Sequence, residues 1–304
     1  MRSFLILLGV VAGSLQASAA TYTVYPDGSG DFPTIQAALY AASDGDTVQL
    51  GDGTFSGPGN RNLDTNETNI SIVALSNIPG DCRIDCEGSA AEPYFGISYS
   101  TQGPGTLLRG VVIVNGYGNP TGGALRLDDA SITIENCYFA YNDAWNFGGA
   151  VAVTHSSFPT FRNCHFYQNN ALYYGQGGAL YFDGTCNPTF EACSFSENTA
   201  DQGGAVYFSL GSPTITQSTF FKNLPGSLYL PSGCNLTMEK TILAYNRGPG
   251  GPVAGSGLAT LTCCDIYGNL GGNWIGGIAG QFGLDGNISA DPQFIYPQIS
   301  NFNI

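Results

Sequence analysis

From Leu125 onward apolar and polar residues alternate, and the alternation returns in unit after unit along the chain. Leu125/Leu127, Val151/Val153, Leu180/Phe182, Val206/Phe208 and Leu228/Leu230 enclose Arg126, Ala152, Tyr181, Tyr207 and Tyr229. A period of two puts the first set on one face of a strand, pointing in, and the second on the other, pointing out. The second half of each unit carries three more inward columns. These are Ile134, Phe161, Phe190, Ile215 and Met238; Cys137, Cys164, Cys193, Ser218 and Thr241; and Phe139, Phe166, Phe195, Phe220 and Leu243, all read as one second strand. No helical period occurs within the units.

The units are repeats. Gly-Gly-Ala begins at Gly122, Gly148, Gly177 and Gly203, and Phe-x-x-Asn follows each time, ending at Asn142, Asn169, Asn198 and Asn223. Degenerate copies end at Asn246 and Asn269. A unit of two or three short strands with one apolar face cannot bury that face alone, so units must stack into a solenoid of parallel strands about 4.8 Å apart. The repeated Asn is expected at a corner, in the left-handed conformation that Asn tolerates, with stacked corner residues bonding one another. The Leu-x-x-Leu-x-Leu pattern of a leucine-rich repeat is absent.

These copies of Gly-Gly-Ala with Phe-x-x-Asn resemble the polymorphic outer membrane protein repeat, within the right-handed parallel β-helix, or pectin-lyase-like, group. The opening Asp27-Gly-Ser-Gly-Asp-Phe-Pro-Thr-Ile-Gln-Ala-Ala38, with Gly45-Asp-Thr-Val48 and Gly53-Thr-Phe55, is similar to the start of many proteins of that group and of pectin methylesterases. The resemblance implies an all-β fold, a single right-handed parallel β-helix solenoid with a short N-terminal capping helix. Pro33 suits the first turn of that helix, and Ile35, Ala38, Leu39 and Ala42 give it one apolar face ahead of Gly45. Chemistry is not implied, because this fold hosts lyases, hydrolases, esterases, adhesins and inert scaffolds.

The first residues differ from the rest. Arg2, the apolar run Phe4 to Val11 and Ala17-Ser18-Ala19 predict a secretory signal peptide over residues 1–20. The β-helix is expected over 21–269, and 270–304 as an irregular C-terminal tail that either folds over the last coil or is an incomplete cap. No later apolar run is long enough for a transmembrane segment, nor is there a series of membrane strands. A net charge of -14, with Lys plus Arg 9 against Asp plus Glu 23, excludes nucleic acid as a partner.

Nine cysteines in an exported chain would ordinarily suggest disulfides. Here Cys137, Cys164, Cys193 and Cys264 share one inward column and read as small buried stacking residues. Cys186 and Cys234 align with Gly211 two coils apart, about 9.6 Å, beyond disulfide reach. A disulfide stays open for adjacent rungs or for Cys82 with Cys86. No cofactor is signalled, and no cysteine spacing backed by histidines suggests zinc. Asp27-x-Ser29-x-Asp31 lacks the distal Glu of a calcium loop and reads as a turn.

Two features can carry a ligand. The column Tyr181, Tyr207 and Tyr229 predicts a flat aromatic strip on which sugar rings stack, and Trp145, Tyr173 and Tyr174 predict an aromatic cluster at one edge. Glu135, Arg162 and Glu191 form a charged row of exposed ion pairs. The best enzymatic constellation is Asp128 and Asp183, two coils apart in one column, with His155 in the loop between and Arg126 nearby. About 9.6 Å is the upper limit for the two carboxylates of an inverting glycosidase. The same residues also serve as turn residues. The resemblance implies further tests: calcium-binding acids with an Arg or Lys base in lyases, and Gly-His-Gly with Arg-x-Lys in polygalacturonases. Neither His155 nor His165 has those neighbours, and the later pectin methylesterase signatures are absent.

The sequence thus describes an exported extracellular or cell-surface β-helix that binds glycans or surfaces without catalysis. The alternative is a polysaccharide-degrading hydrolase or lyase using Asp128 and Asp183.

Overall fold

A computed structural model describes residues 18–76, 78 and 80–294. The leader expected over 1–20 lies almost wholly outside the described residues, as do 295–304 of the tail. The chain winds as a right-handed parallel β-helix whose coils contribute strands to a ten-stranded, a nine-stranded and an eight-stranded sheet, with a three-stranded sheet at one corner. One coil shows the plan: Thr133–Glu135 in the first sheet, Tyr138–Ala140 in the second, Asp143–Ala144 at the corner and Val151–Thr154 in the third.

Pairing is parallel and in register, Ile134 with Phe161 and Phe161 with Phe190, so equivalent side chains lie one above another. All the inward columns are buried. Their rings stack: Phe139, Phe166, Phe195 and Phe220 form one pile with centroids 5.0, 4.8 and 4.5 Å apart. A coil spacing of about 4.8 Å is close to the separation of stacked rings, which makes aromatic residues good fillers for such a core.

The single second strand of each unit divides into two. Between Glu135 and Tyr138 the chain turns from the first sheet into the second, and Asn136 takes up the turn with φ 53°. Asn163, Ala192, Gln217, Lys240 and Cys263 do the same on later coils, with φ from 48° to 54°. The cysteine column follows this kink and still points inward, three residues after Ile134 where strict alternation would give two, and that extra residue is the bend's mark in the sequence.

The repeated Asn is not left-handed. That conformation belongs to the residue before it, Tyr141, Gln168, Glu197, Lys222, Tyr245 and Gly268, with φ from 48° to 64°. The Asn side chains turn inward and are buried. Asn198 shows why. Its Nδ2 donates to Asn223 Oδ1 and to the Phe166 carbonyl, both at 3.0 Å, and its Oδ1 accepts from Asn169 N and Nδ2, both at 3.0 Å. The ladder continues from Asn142 to Asn269, where Asn273 ends it. Full pairing offsets the cost of burying an amide, which an Asn exposed at a left-handed corner would not incur.

The ends are covered. The helix Ile35–Ala41 buries Ile35, Ala38 and Leu39 over the first coils. Thr34 is its N-cap, accepting from Ala37 N, and Pro33 stands one position earlier than the first turn because the hydroxyl takes the capping place. In the described part of the tail, a 3₁₀-helix Gly276–Gln281 buries Ile278, and Asn287 Oδ1 accepts from Cys264 N at 3.0 Å.

All nine cysteines are free, including Cys82 and Cys86, and Cys263 alone is exposed. Burial pushes the Cys82 and Cys137 thiols up to about 12, so they remain protonated and unreactive at neutral pH. A thiol reagent is therefore expected to titrate one cysteine in the native protein and nine after denaturation without reductant. A denatured count of one would mean four disulfides and overturn the packing assignment.

Candidate functional site

In the third sheet Asp128 pairs with Thr154, and Val153 with Phe182, so Asp183 falls in the same outward row two coils on. Both aspartates are exposed. Thr154 Oγ1 donates to Asp128 Oδ1 at 2.6 Å, and His155 Nδ1 meets the same oxygen. The Thr154 hydroxyl, with His155 behind it, holds the Asp128 carboxyl below the ordinary range, and Asp128 raises the exposed imidazole. That pair favours an ionised carboxylate, opposite to the shift a general acid needs. Asp183 accepts from its neighbour Gly184 N at 2.9 Å. Arg126 is not brought to this row. Its guanidinium lies 3.9 Å from the centre of the Phe95 ring and its Nε donates to the Thr121 carbonyl at 3.0 Å.

The tyrosine column is real but is not a flat platform. Tyr181 and Tyr207 are 5.5 Å apart and inclined at 25°, and Tyr207 and Tyr229 are 5.2 Å apart at 5°. In-register strands set the rings face to face, so their faces cover one another and mainly their edges meet solvent. Phe147 closes the row 4.7 Å from Tyr181. The charged row is shorter than expected: Arg162 Nε reaches Glu191 Oε2 at 3.3 Å. Asp27 and Asp31 accept from the backbone amides of Ser29 and Thr23, which makes their segment a turn.

At the edge, Trp145 and Tyr173 stack 4.1 Å apart, whereas Tyr174 stands 90 % exposed with φ 50°. Tyr173 forms part of the wall of a groove of about 760 Å³ that the sequence reading missed. Tyr117, Tyr141, Leu172 and Tyr173 give it an aromatic and apolar side; Asp85, Glu87 and Asp143 give it carboxylates, with Gly88, Ser89 and Ala90 forming a rim. Asp143 occupies the corner sheet, paired in register with Tyr117 on one side and Asn170 on the other. Burial pushes the Asp143 carboxyl above the ordinary range, against the hydrogen bond that Asn170 Nδ2 donates to it at 2.8 Å. Asp85 is held by Arg83 at 3.3 Å and Asn115 Nδ2 at 3.0 Å, and Glu87 by Arg61.

A sequence signal for part of this groove exists. Tyr141 and Asp143 flank the corner Asn142, a place where the neighbouring residues change from coil to coil while the Asn does not.

The sequence matches the family described as "Right handed beta helix region" over residues 93–226 and 166–289, together more than half of the chain. The chain belongs to that family. Among solved structures, this β-helix is similar to pectate lyase Pel9A, with a TM-score of 0.57 and 16% identity, covering 83% of this chain and 70% of that one. It is also similar to the pectin methylesterase from Aspergillus niger, with a TM-score of 0.51 and 14% identity over 91% of this chain and 92% of the other. At such identities the likeness concerns the β-helix architecture. No curated protein sequence matches the chain.

Proposed function

We propose that this β-helix is an exported glycan-binding protein and that the groove beside Trp145 and Tyr173 holds the saccharide. The groove carries the reading: a concave surface of ligand size in which phenol rings and carboxylates face one space. Rings pack against the apolar faces of a sugar, and carboxylates accept from its hydroxyls. The two similar structures, a pectate lyase and a pectin methylesterase, make a polysaccharide ligand a natural class to test.

For the exported form, one contact bears on where the leader would be cut. The Ala20 amide nitrogen donates to the largely buried Asp46 Oδ1 at 2.6 Å, and Asp46 Oδ2 accepts from Ser43 N at 2.8 Å. Cleavage after Ala19, one residue before the boundary expected at 20, would place the new α-ammonium on this carboxylate, and the intact mass of secreted protein checks that start.

On a glycan array, the purified chain is expected to bind, and Tyr173→Ala, with Trp145→Ala removing the ring that stacks on Tyr173, to reduce affinity about tenfold or more, in line with losing an interfacial aromatic anchor and its support. Tyr181→Ala, whose ring faces are already covered, should matter less. Unchanged binding by the double variant would place the ligand elsewhere. A second reading is cleavage by Asp128 and Asp183, favoured by their shared row. Release of reducing or unsaturated ends that disappears with Asp128→Asn would establish it against the binding reading.

A further inference from the structure

The charges in the groove are unevenly compensated. Glu87 faces Arg61, and Asp85 faces Arg83, but the polar partner of Asp143 is the neutral Asn170 amide. Tyr117 lies beside both Asp143 and Tyr173, with Tyr141, Asp85 and Glu87 along the same groove. Neither Lys nor Arg lines it.

A compact metal ion does not complement this arrangement. Among the described residues no three His, Cys, Asp or Glu side chains converge to hold one. The carboxylates are spread along the groove, as the register shows: Asp85 aligns with Val114 and Val114 with Ala140, two coils and a corner away from Asp143. With Asp85 and Glu87 already paired to arginines, Asp143 is the groove carboxylate left to meet a cation on an extended ligand. The aromatic side asks for ring faces, and Ser89 and the tyrosine hydroxyls for hydroxyl partners. A polymer of uronic acids meets the carboxylates with its own sign and is rejected, since like charges across an interface are costly.

Resting on the glycan reading above, we propose that the groove selects a cationic oligosaccharide, a chain of hexosamines with free ammonium groups, one of which pairs with Asp143. The ammonium supplies the positive partner that Asp143 lacks in the free protein, and the aromatic side holds the ring that carries it. A lysine-rich peptide offers the same charge but no ring faces or hydroxyls.

The pH dependence follows from the sign of the shift. Asp143 titrates above the ordinary carboxylate range and pairs with an ammonium only when ionised. Affinity for the hexosamine should therefore fall as pH drops through that raised range. It should hold steady above it until the ligand amine loses its own proton.

Calorimetric titration of the mature chain with four probes of equal length decides the matter: a deacetylated hexosamine oligomer, its N-acetylated counterpart, an oligogalacturonate and oligolysine. The deacetylated oligomer is expected to bind about tenfold more tightly than the acetylated one, with no measurable binding of oligogalacturonate. Asp143→Asn should close most of that gap, weakening the deacetylated oligomer by more than it weakens the acetylated one. This variant keeps an oxygen for Asn170 and removes a carboxylate that burial disfavours, so it should melt no lower than wild type at neutral pH. Equal binding of the three saccharides would overturn the charge selection and leave glycan binding standing. Failure of every saccharide to bind would overturn both, and oligolysine binding as tightly as the hexosamine would show that the groove reads charge without the sugar.

Discussion

Leu180→Asp is expected to destabilise the protein by about 5 kcal/mol, whereas Tyr181→Asp beside it should cost about 2 kcal/mol. Leu180 is fully buried in the eight-stranded sheet, between Val151 and Val206 in register. A carboxylate there has no cation and no water, and protonation only exchanges the charge for an unpaired hydroxyl. Tyr181 points outward and is half-buried, so aspartate in its place loses the stacking with Phe147 and Tyr207 but keeps its solvent. Because each coil is stabilised chiefly by its neighbours, the damage at Leu180 should also break cooperativity and give a melt in two stages. Comparable losses in Tm for the two variants would mean that the strand faces are reversed.

The second large effect is expected at the asparagine ladder. Asn198→Leu keeps the approximate volume but removes the acceptor of Asn169 N, one of the two acceptors of Asn169 Nδ2 and a donor to the Phe166 carbonyl, all in the buried ladder. Each orphaned group costs about 1 to 3 kcal/mol, so a loss of about 4 kcal/mol and a fall in Tm on the order of 10 °C are expected. Asn163→Gly supplies the contrast. Asn163 is exposed and left-handed with φ 48°, and its side chain donates to Asn136 Oδ1 at 2.7 Å on the surface. Glycine accepts that φ, and water replaces that bond, so the variant should lose little. Denaturant melts of the two would separate them; a loss at Asn198 no larger than at Asn163 would show that the ladder is not what holds the corner.

The ladder bears on the proposed site as well as on stability. Asn142 sits between Tyr141 and Asp143, and its side chain bonds to Asn169 at 3.0 Å and to the Ile113 carbonyl at 3.0 Å. Its buried amide therefore fixes the backbone on which both groove residues stand. Binding residues flanking a rigid column can be exchanged without disturbing the coil, which suits a fold that presents different surfaces on one scaffold.

The inward columns were legible before any coordinates. In a parallel, in-register solenoid each inward position repeats at the coil length, so Leu180, Phe190, Cys193 and Phe195 are identifiable from periodicity and their coil-to-coil partners from the repeat. It also placed Asp128 and Asp183 in one outward row, since that too is a register statement. Tertiary structure decided what register does not carry. The steps of three from Ile134 to Cys137 and from Phe139 to Asn142 break the alternation where left-handed residues turn the chain, but a break in period alone does not say that the strand divides or that the asparagine amides pack inward. The tyrosine faces were lost to stacking because in-register strands superimpose rings, which concerns the orientation of side chains rather than their order. Arg126 turns to Phe95, and the groove joins Asp85 and Glu87 to Asp143. Both depend on the irregular path of residues 86–96 between strands, and an aperiodic segment has no repeat from which its position can be read.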